Sequence, residues 1–178
     1  SGTQSRPDGC GALAGGAWTP LKQAKFLLRH LLCDINNQVE IASYFSCMDM
    51  IEALNGTVGE LNSYLDYGYF GVIGADFDEN GRSTGEYTPK MSYYALQNLC
   101  SVFCEDYDIA DIQVESVINP SKLNLSGDYD FDKTYHFGVR KQNGSSALVY
   151  WIPKNILTET IETTVSFRIK KEAVSGAV

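Results

Sequence analysis

The chain has 178 residues, 44% of them apolar and 12% aromatic, with a formal net charge of −8 at pH 7, enough for one domain or two small ones. That charge argues against a binder of the phosphate backbone, which needs clustered Lys and Arg. Apolar runs break within about six residues, against the roughly 20 that a membrane-crossing helix needs, and the start is Gly- and Ser-rich rather than basic then apolar.

The opening "SGTQSRPDGCGALAGGAW" reads as a loop, with Pro7-Asp8-Gly9 as a turn. A helix follows in "WTPLKQAKFLLRHLLCD", with Thr19 as N-cap and Pro20 at its first position. Leu21, Ala24, Leu27, Leu28, Leu31 and Leu32 give it an apolar stripe. "QVEIASYF", residues 38–45, is β-branched and aromatic, which predicts a strand buried on both faces of a parallel sheet. "YGYFGVIGADFDENGRSTGEYTP" predicts a β-hairpin turning at Asp78-Glu79-Asn80-Gly81. "YTPKMSYYALQNLCSVF" repeats the Thr-Pro helix start with Thr88 and Pro89, and its stripe is Met91, Tyr94, Ala95, Leu99 and Val102. After Glu105 the pattern becomes antiparallel strands in "DIQVESV", "TYHFGVRK", "SALVYWIP" and "TTVSFRI", with Asn143-Gly144 as a tight turn. The expected fold is therefore an α/β segment over 1–105 and an antiparallel β-sandwich-like domain over 106–178, the latter incomplete.

The run from Gly11 to Phe103, "GALAGGAWTPLKQAKFLLRHLLCDINNQVEIASYF" and "YFGVIGADFDENGRSTGEYTPKMSYYALQNLCSVF", resembles the last two βα units of TIM-barrel glycoside hydrolases, in particular family 39-like members of the large retaining clan. "SALVYWIP" and its neighbouring strands resemble the β-sandwich that follows the barrel in many of them. The resemblance implies a retaining double displacement on O-glycosidic bonds of a plant-type or microbial saccharide. It also implies that "SGTQSRPDG" is the loop after the strand bearing the nucleophilic Glu. That Glu and the acid/base Glu would then lie ahead of Ser1, so the catalytic residues within this chain are unknown.

In a barrel, active-site residues collect at the C-terminal ends of strands. Asp49 follows the end of the expected strand, and with Tyr44 and Phe45 it could line a sugar subsite. The alternative for Asp49 is a loop carboxylate capping a turn beside two core aromatics. Arg6 and Trp18, in the first loop on the same expected face, complete the substrate-binding candidates. Glu40 falls at the opposite end of the strand, where an ion pair that supports the fold is the better reading.

Five Cys match no paired zinc knuckle, and Cys100 and Cys104, four apart on one helix face, are expected in the core. His30 and His136 each stand alone, so no nucleophilic triad is readable. Asp76, Asp78, Asn80 and Gly81 occupy calcium-loop places, but Tyr87 stands where the twelfth-place Glu belongs. A hairpin turn explains them more cheaply, and the alternating Asp128, Asp130 and Asp132 are expected on a solvent face. No metal or cofactor is expected. The triplets at Asn55, Asn124 and Asn143 matter only after eukaryotic secretion, and the compartment stays open.

Expected partners are a carbohydrate substrate, with no nucleic acid and no membrane. A non-catalytic carbohydrate-binding or interaction module is the alternative function. A strand at 39–45 needs neighbours on both edges, so association with a copy of the chain or with another chain is also expected, over roughly 2,000 Å² or more.

Overall fold

A computed structural model of the chain describes residues 18–118, 134–153 and 164–169. Among them the architecture is mixed helix and strand, with two helices and four small antiparallel sheets. The chain divides into two compact units, Ser1–Ser101 and Val102–Val178.

In the first unit, α1 (Pro20–Asn36) starts where the sequence signals it. Thr19 is extended and its hydroxyl accepts from the Lys22 N–H at 3.3 Å, while Pro20 needs no hydrogen-bond partner for its nitrogen. Its buried face carries Ala24 and Leu27, together with Gln23. The helix ends as Gln38 takes φ 55° and the Val39 N–H returns to the Asp34 carbonyl.

The expected buried strand at 38–45 is not formed. Ile41 is 85% exposed and Val39 and Phe45 are about half exposed. A central strand holds only when both edges find partners. Here only the residues just after it do so: Ser46 and Cys47 carbonyls accept from the Val72 and Ile73 N–H groups, and the Asp49 N–H donates to Ile73. This short parallel contact, bridging Met48 and Ile73, stands where a parallel sheet was expected. An end of a barrel is not seen among the described residues.

Two hairpins follow. β1 (Met50–Leu54) pairs antiparallel with β2 (Tyr64–Gly68), a hairpin the sequence reading did not anticipate. β3 (Ile73–Phe77) pairs with β4 (Ser83–Pro89) around the expected turn. There Asp78 Oδ1 accepts from the Asn80 and Arg82 N–H groups at 2.9 and 2.8 Å, so the carboxylate closes a turn. α2 (Met91–Val102) begins later than expected: Thr88 and Pro89 still belong to β4, with Pro89 opposite Ile73. The core residues of this unit include Ala24, Leu27, Phe70, Val72 and Ala75. Cys100 and Cys104 are exposed, which corrects their expected burial: the buried residue of α2 is Ser92, and Cys104 lies past the helix end at Val102.

In the second unit, β5 (Tyr107–Ala110), β7 (Tyr135–Lys141) and β8 (Ser146–Trp151) form a sheet in the order β5-β7-β8. β6 (Val114–Ile118) pairs with β9 (Val165–Ile169). The β7–β8 turn is the Asn143-Gly144 turn, with Gly144 at φ 83° and Asn143 Oδ1 accepting from the Ser145 N–H. Phe137 and Val139 are buried, and the Tyr150 and Phe167 rings meet edge-on with centroids 4.6 Å apart. Asp128, Asp130 and Asp132 lie outside the described residues. No helix among the described residues is long and apolar enough to cross a membrane.

Candidate functional site

The segment 69–72 runs between β2 and β3 without belonging to a strand, yet Phe70, Gly71 and Val72 are buried. Buried backbone groups outside a ladder must find other partners. Here the partners come largely from side chains distant in sequence. The Tyr69 carbonyl accepts from Lys90 Nζ at 3.3 Å. The Phe70 carbonyl accepts from Tyr44 Oη at 3.3 Å and from Gln23 Nε2 at 3.4 Å, and Gln23 Nε2 also reaches the Gly71 carbonyl at 3.2 Å. The Gly71 N–H donates to Asp49 Oδ1 at 2.9 Å, and the Val72 carbonyl accepts from the Lys90 N–H. Gly71 is required on space alone, since a Cβ there would run into Asp49 N and the Met48 carbonyl carbon.

Two buried polar pairs fix this arrangement. Lys90 Nζ lies 2.6 Å from Asp49 Oδ1, and Asp49 is only 7% exposed. Burial pushes the Asp49 carboxyl above its usual value, opposed by Lys90 and by the Gly71 and Ala75 N–H groups. Burial pushes the Lys90 ammonium down, opposed by Asp49. Both shifts follow the cost of holding charge away from water. In the second pair, Ser92 Oγ donates to Gln23 Oε1 at 3.0 Å, both residues being fully buried, which ties α2 to α1.

The structure thus gathers Tyr44, Phe45 and Asp49 around Tyr69–Gly71. Their surroundings differ. Asp49 is enclosed and engaged, and Tyr44 is half buried through its hydroxyl bond. Phe45 is 51% exposed, with its ring tilted against Phe70 at 5.7 Å between centroids. Trp18 packs edge-on against Phe26 of α1 at 5.4 Å. Arg6 lies outside the described residues.

Lys90, Gln23 and Ser92 were not singled out from the sequence, though Lys90 and Gln23 each left a signal. A cation beside the first turn of a helix opposes the macrodipole and asks for a nearby anion. Gln23 lies one turn before Leu27 on the buried stripe, a polar group where an apolar one is expected. Among the described residues no cluster of three or more His, Cys, Asp or Glu could hold a metal ion. The site offers a backbone segment held by distant side chains, with the half-exposed Phe45 ring tilted against Phe70. No protein-family model, no curated protein and no solved structure matches the chain.

Proposed function

We propose that the chain is part of a retaining glycoside hydrolase, a TIM-barrel end followed by a β-sandwich, and that it supplies loops contacting a plant-type or microbial saccharide. The Gly11–Phe103 resemblance motivates the reading. The observation that carries it to sugar binding is the half-exposed Phe45 ring against Phe70, whose backbone segment is held by Tyr44, Gln23, Asp49 and Lys90. An aromatic face held in place suits the C–H face of a sugar ring, because little side-chain freedom remains to be lost on binding. Tyr44 and Asp49 act here by holding that platform. Trp18, packed on Phe26 of α1, is a further candidate contact, as is Arg6, which lies outside the described residues.

A retaining reaction needs two carboxyl groups roughly 5–5.5 Å apart, one as nucleophile and one as acid/base. Asp49 is not one of them, because its charge is engaged by Lys90 and screened from solvent. In this reading both come from outside these 178 residues. Aryl glycosides test it. A product extended through the upstream coding sequence should release nitrophenol from at least one sugar of a panel, and 1–178 alone should bind that sugar without turnover. Binding with no turnover by either product favours the non-catalytic module, and neither binding nor turnover removes the reading.

A further inference from the structure

The second unit holds a cleft of about 340 Å³ whose lining comes from β5, β7, β8, the residues after β5, and Ile169 of β9. Strand register decides its chemistry. Asp108 of β5 stands opposite Arg140 of β7, and Arg140 stands opposite Ser146 of β8. Directly opposed residues project from the same sheet face, so these three make one polar row across three strands. Strands lie about 4.8 Å apart, so the row spans roughly 10 Å. The next row on that face is Ala110, Gly138 and Leu148, which is apolar. Ile112 occupies the space where a Cβ of Gly138 would stand, and Ile169, 52% exposed, contributes a further apolar wall.

The polar row is unengaged. Among the described residues the side chains of Asp108, Arg140 and Ser146 make no hydrogen bond or ion pair, although Asp108 and Arg140 are opposed and of opposite charge. Asp111, also in the lining, differs: Gln113 Nε2 holds both its oxygens at 2.9 and 3.0 Å. A carboxylate acceptor, a guanidinium donor fork and a hydroxyl in line beside an apolar floor match a ring with hydroxyls at its rim and C–H groups on its face. An anionic ligand would find Arg140 but meet Asp108 and Asp111. A wholly apolar ligand would strip water from Asp108 and Arg140 and return no partner.

We infer that this cleft binds a neutral saccharide unit, at a site distinct from the Phe45 platform. The choice of a sugar over another neutral polyol rests on the function proposed above. The test is a titration of the whole chain, followed by amide NMR, with cellobiose, xylobiose and glucuronate. Saturable shifts are expected with a neutral disaccharide at the amides of Asp108, Arg140, Ser146 and Leu148. Arg140→Ala should weaken that binding about tenfold or more, and Ser146→Ala several-fold. Phe45→Ala should leave those shifts as they are. Silence at these four amides, an unchanged affinity in Arg140→Ala, or tighter binding of glucuronate each overturns the inference. Shifts confined to Phe45 and Tyr69 overturn it while leaving the reading of the first unit standing.

Discussion

Replacing Lys90 by Met removes the ammonium while keeping a side chain of similar length. Asp49 then loses its 2.6 Å partner and the Tyr69 carbonyl loses its 3.3 Å donor. Asp49 keeps the Gly71 N–H, but its charge is left inside without a counter-charge. Breaking a buried pair from one side costs about 3–5 kcal/mol. For a unit of this size each kcal/mol moves the melting midpoint by about 4–8 °C, so a 3 kcal/mol loss is a drop of roughly 12–24 °C. The pH dependence has a definite sign. With its folded pKa raised above the unfolded one, Asp49 favours folding while protonated and loses that contribution as pH rises through the raised value. Removing Lys90 raises it further, so the penalty is largest at neutral pH and shrinks toward acid. In the wild type Lys90 follows the opposite course: its lowered folded pKa gives stability above the ordinary Lys value that is lost as pH falls through the lowered one. Urea unfolding in a Trp151→Phe background, where Trp18 is the remaining tryptophan of the chain's two, reads the first unit. Asp49→Asn combined with Lys90→Met should recover about 2 kcal/mol or more of the loss, because no charge is then buried. A Lys90→Met loss below about 1 kcal/mol at pH 7, or a double variant no better than the single one, refutes the reasoning.

Other outcomes follow from the same geometry. Gln23→Ala orphans the Gly71 carbonyl and the Ser92 hydroxyl, and should lower stability by about 2–4 kcal/mol in the same urea assay. Gly71→Ala forces a Cβ into the Met48–Asp49 backbone and should cost about 1–3 kcal/mol or more, with amide shifts centred on residues 46–49 and 71–73. Val39, Ile41, Met91 and Tyr94 leave apolar surface open, so sedimentation at micromolar concentration should show self-association that Ile41→Lys weakens; a monodisperse monomer refutes this.

The parts of the fold readable from sequence are those that local chemistry decides. Thr19-Pro20 caps α1, Asp78 closes the β3–β4 turn, and Asn143-Gly144 turns β7 into β8. The same Thr-Pro signal at 88–89 misplaces the start of α2 because long-range pairing wins there. Pro89 sits at the end of the β4 ladder, and the Lys90 N–H bonds the Val72 carbonyl. The run at 38–45 has strand composition, but composition carries no information on whether an edge partner exists. The Asn55-Gly56 turn signal of the β1–β2 hairpin was in view only as part of a glycosylation triplet, and Asn55 and Gly56 indeed take positive φ. At the site, Asp49 was visible because it follows an apolar run. Its partner Lys90 lies 41 positions away and Gln23 lies 48 from Gly71, separations at which a single sequence shows no pattern.

The most direct test of the account is a calorimetric titration of the chain and of its Phe45→Ala variant with the neutral disaccharides cellobiose and xylobiose. The account expects saturable binding by the wild type to at least one of them. Phe45→Ala should weaken the binding at the first unit about threefold to tenfold, the scale of one aromatic contact. No binding by the wild type, or identical titrations for the two proteins, contradicts it.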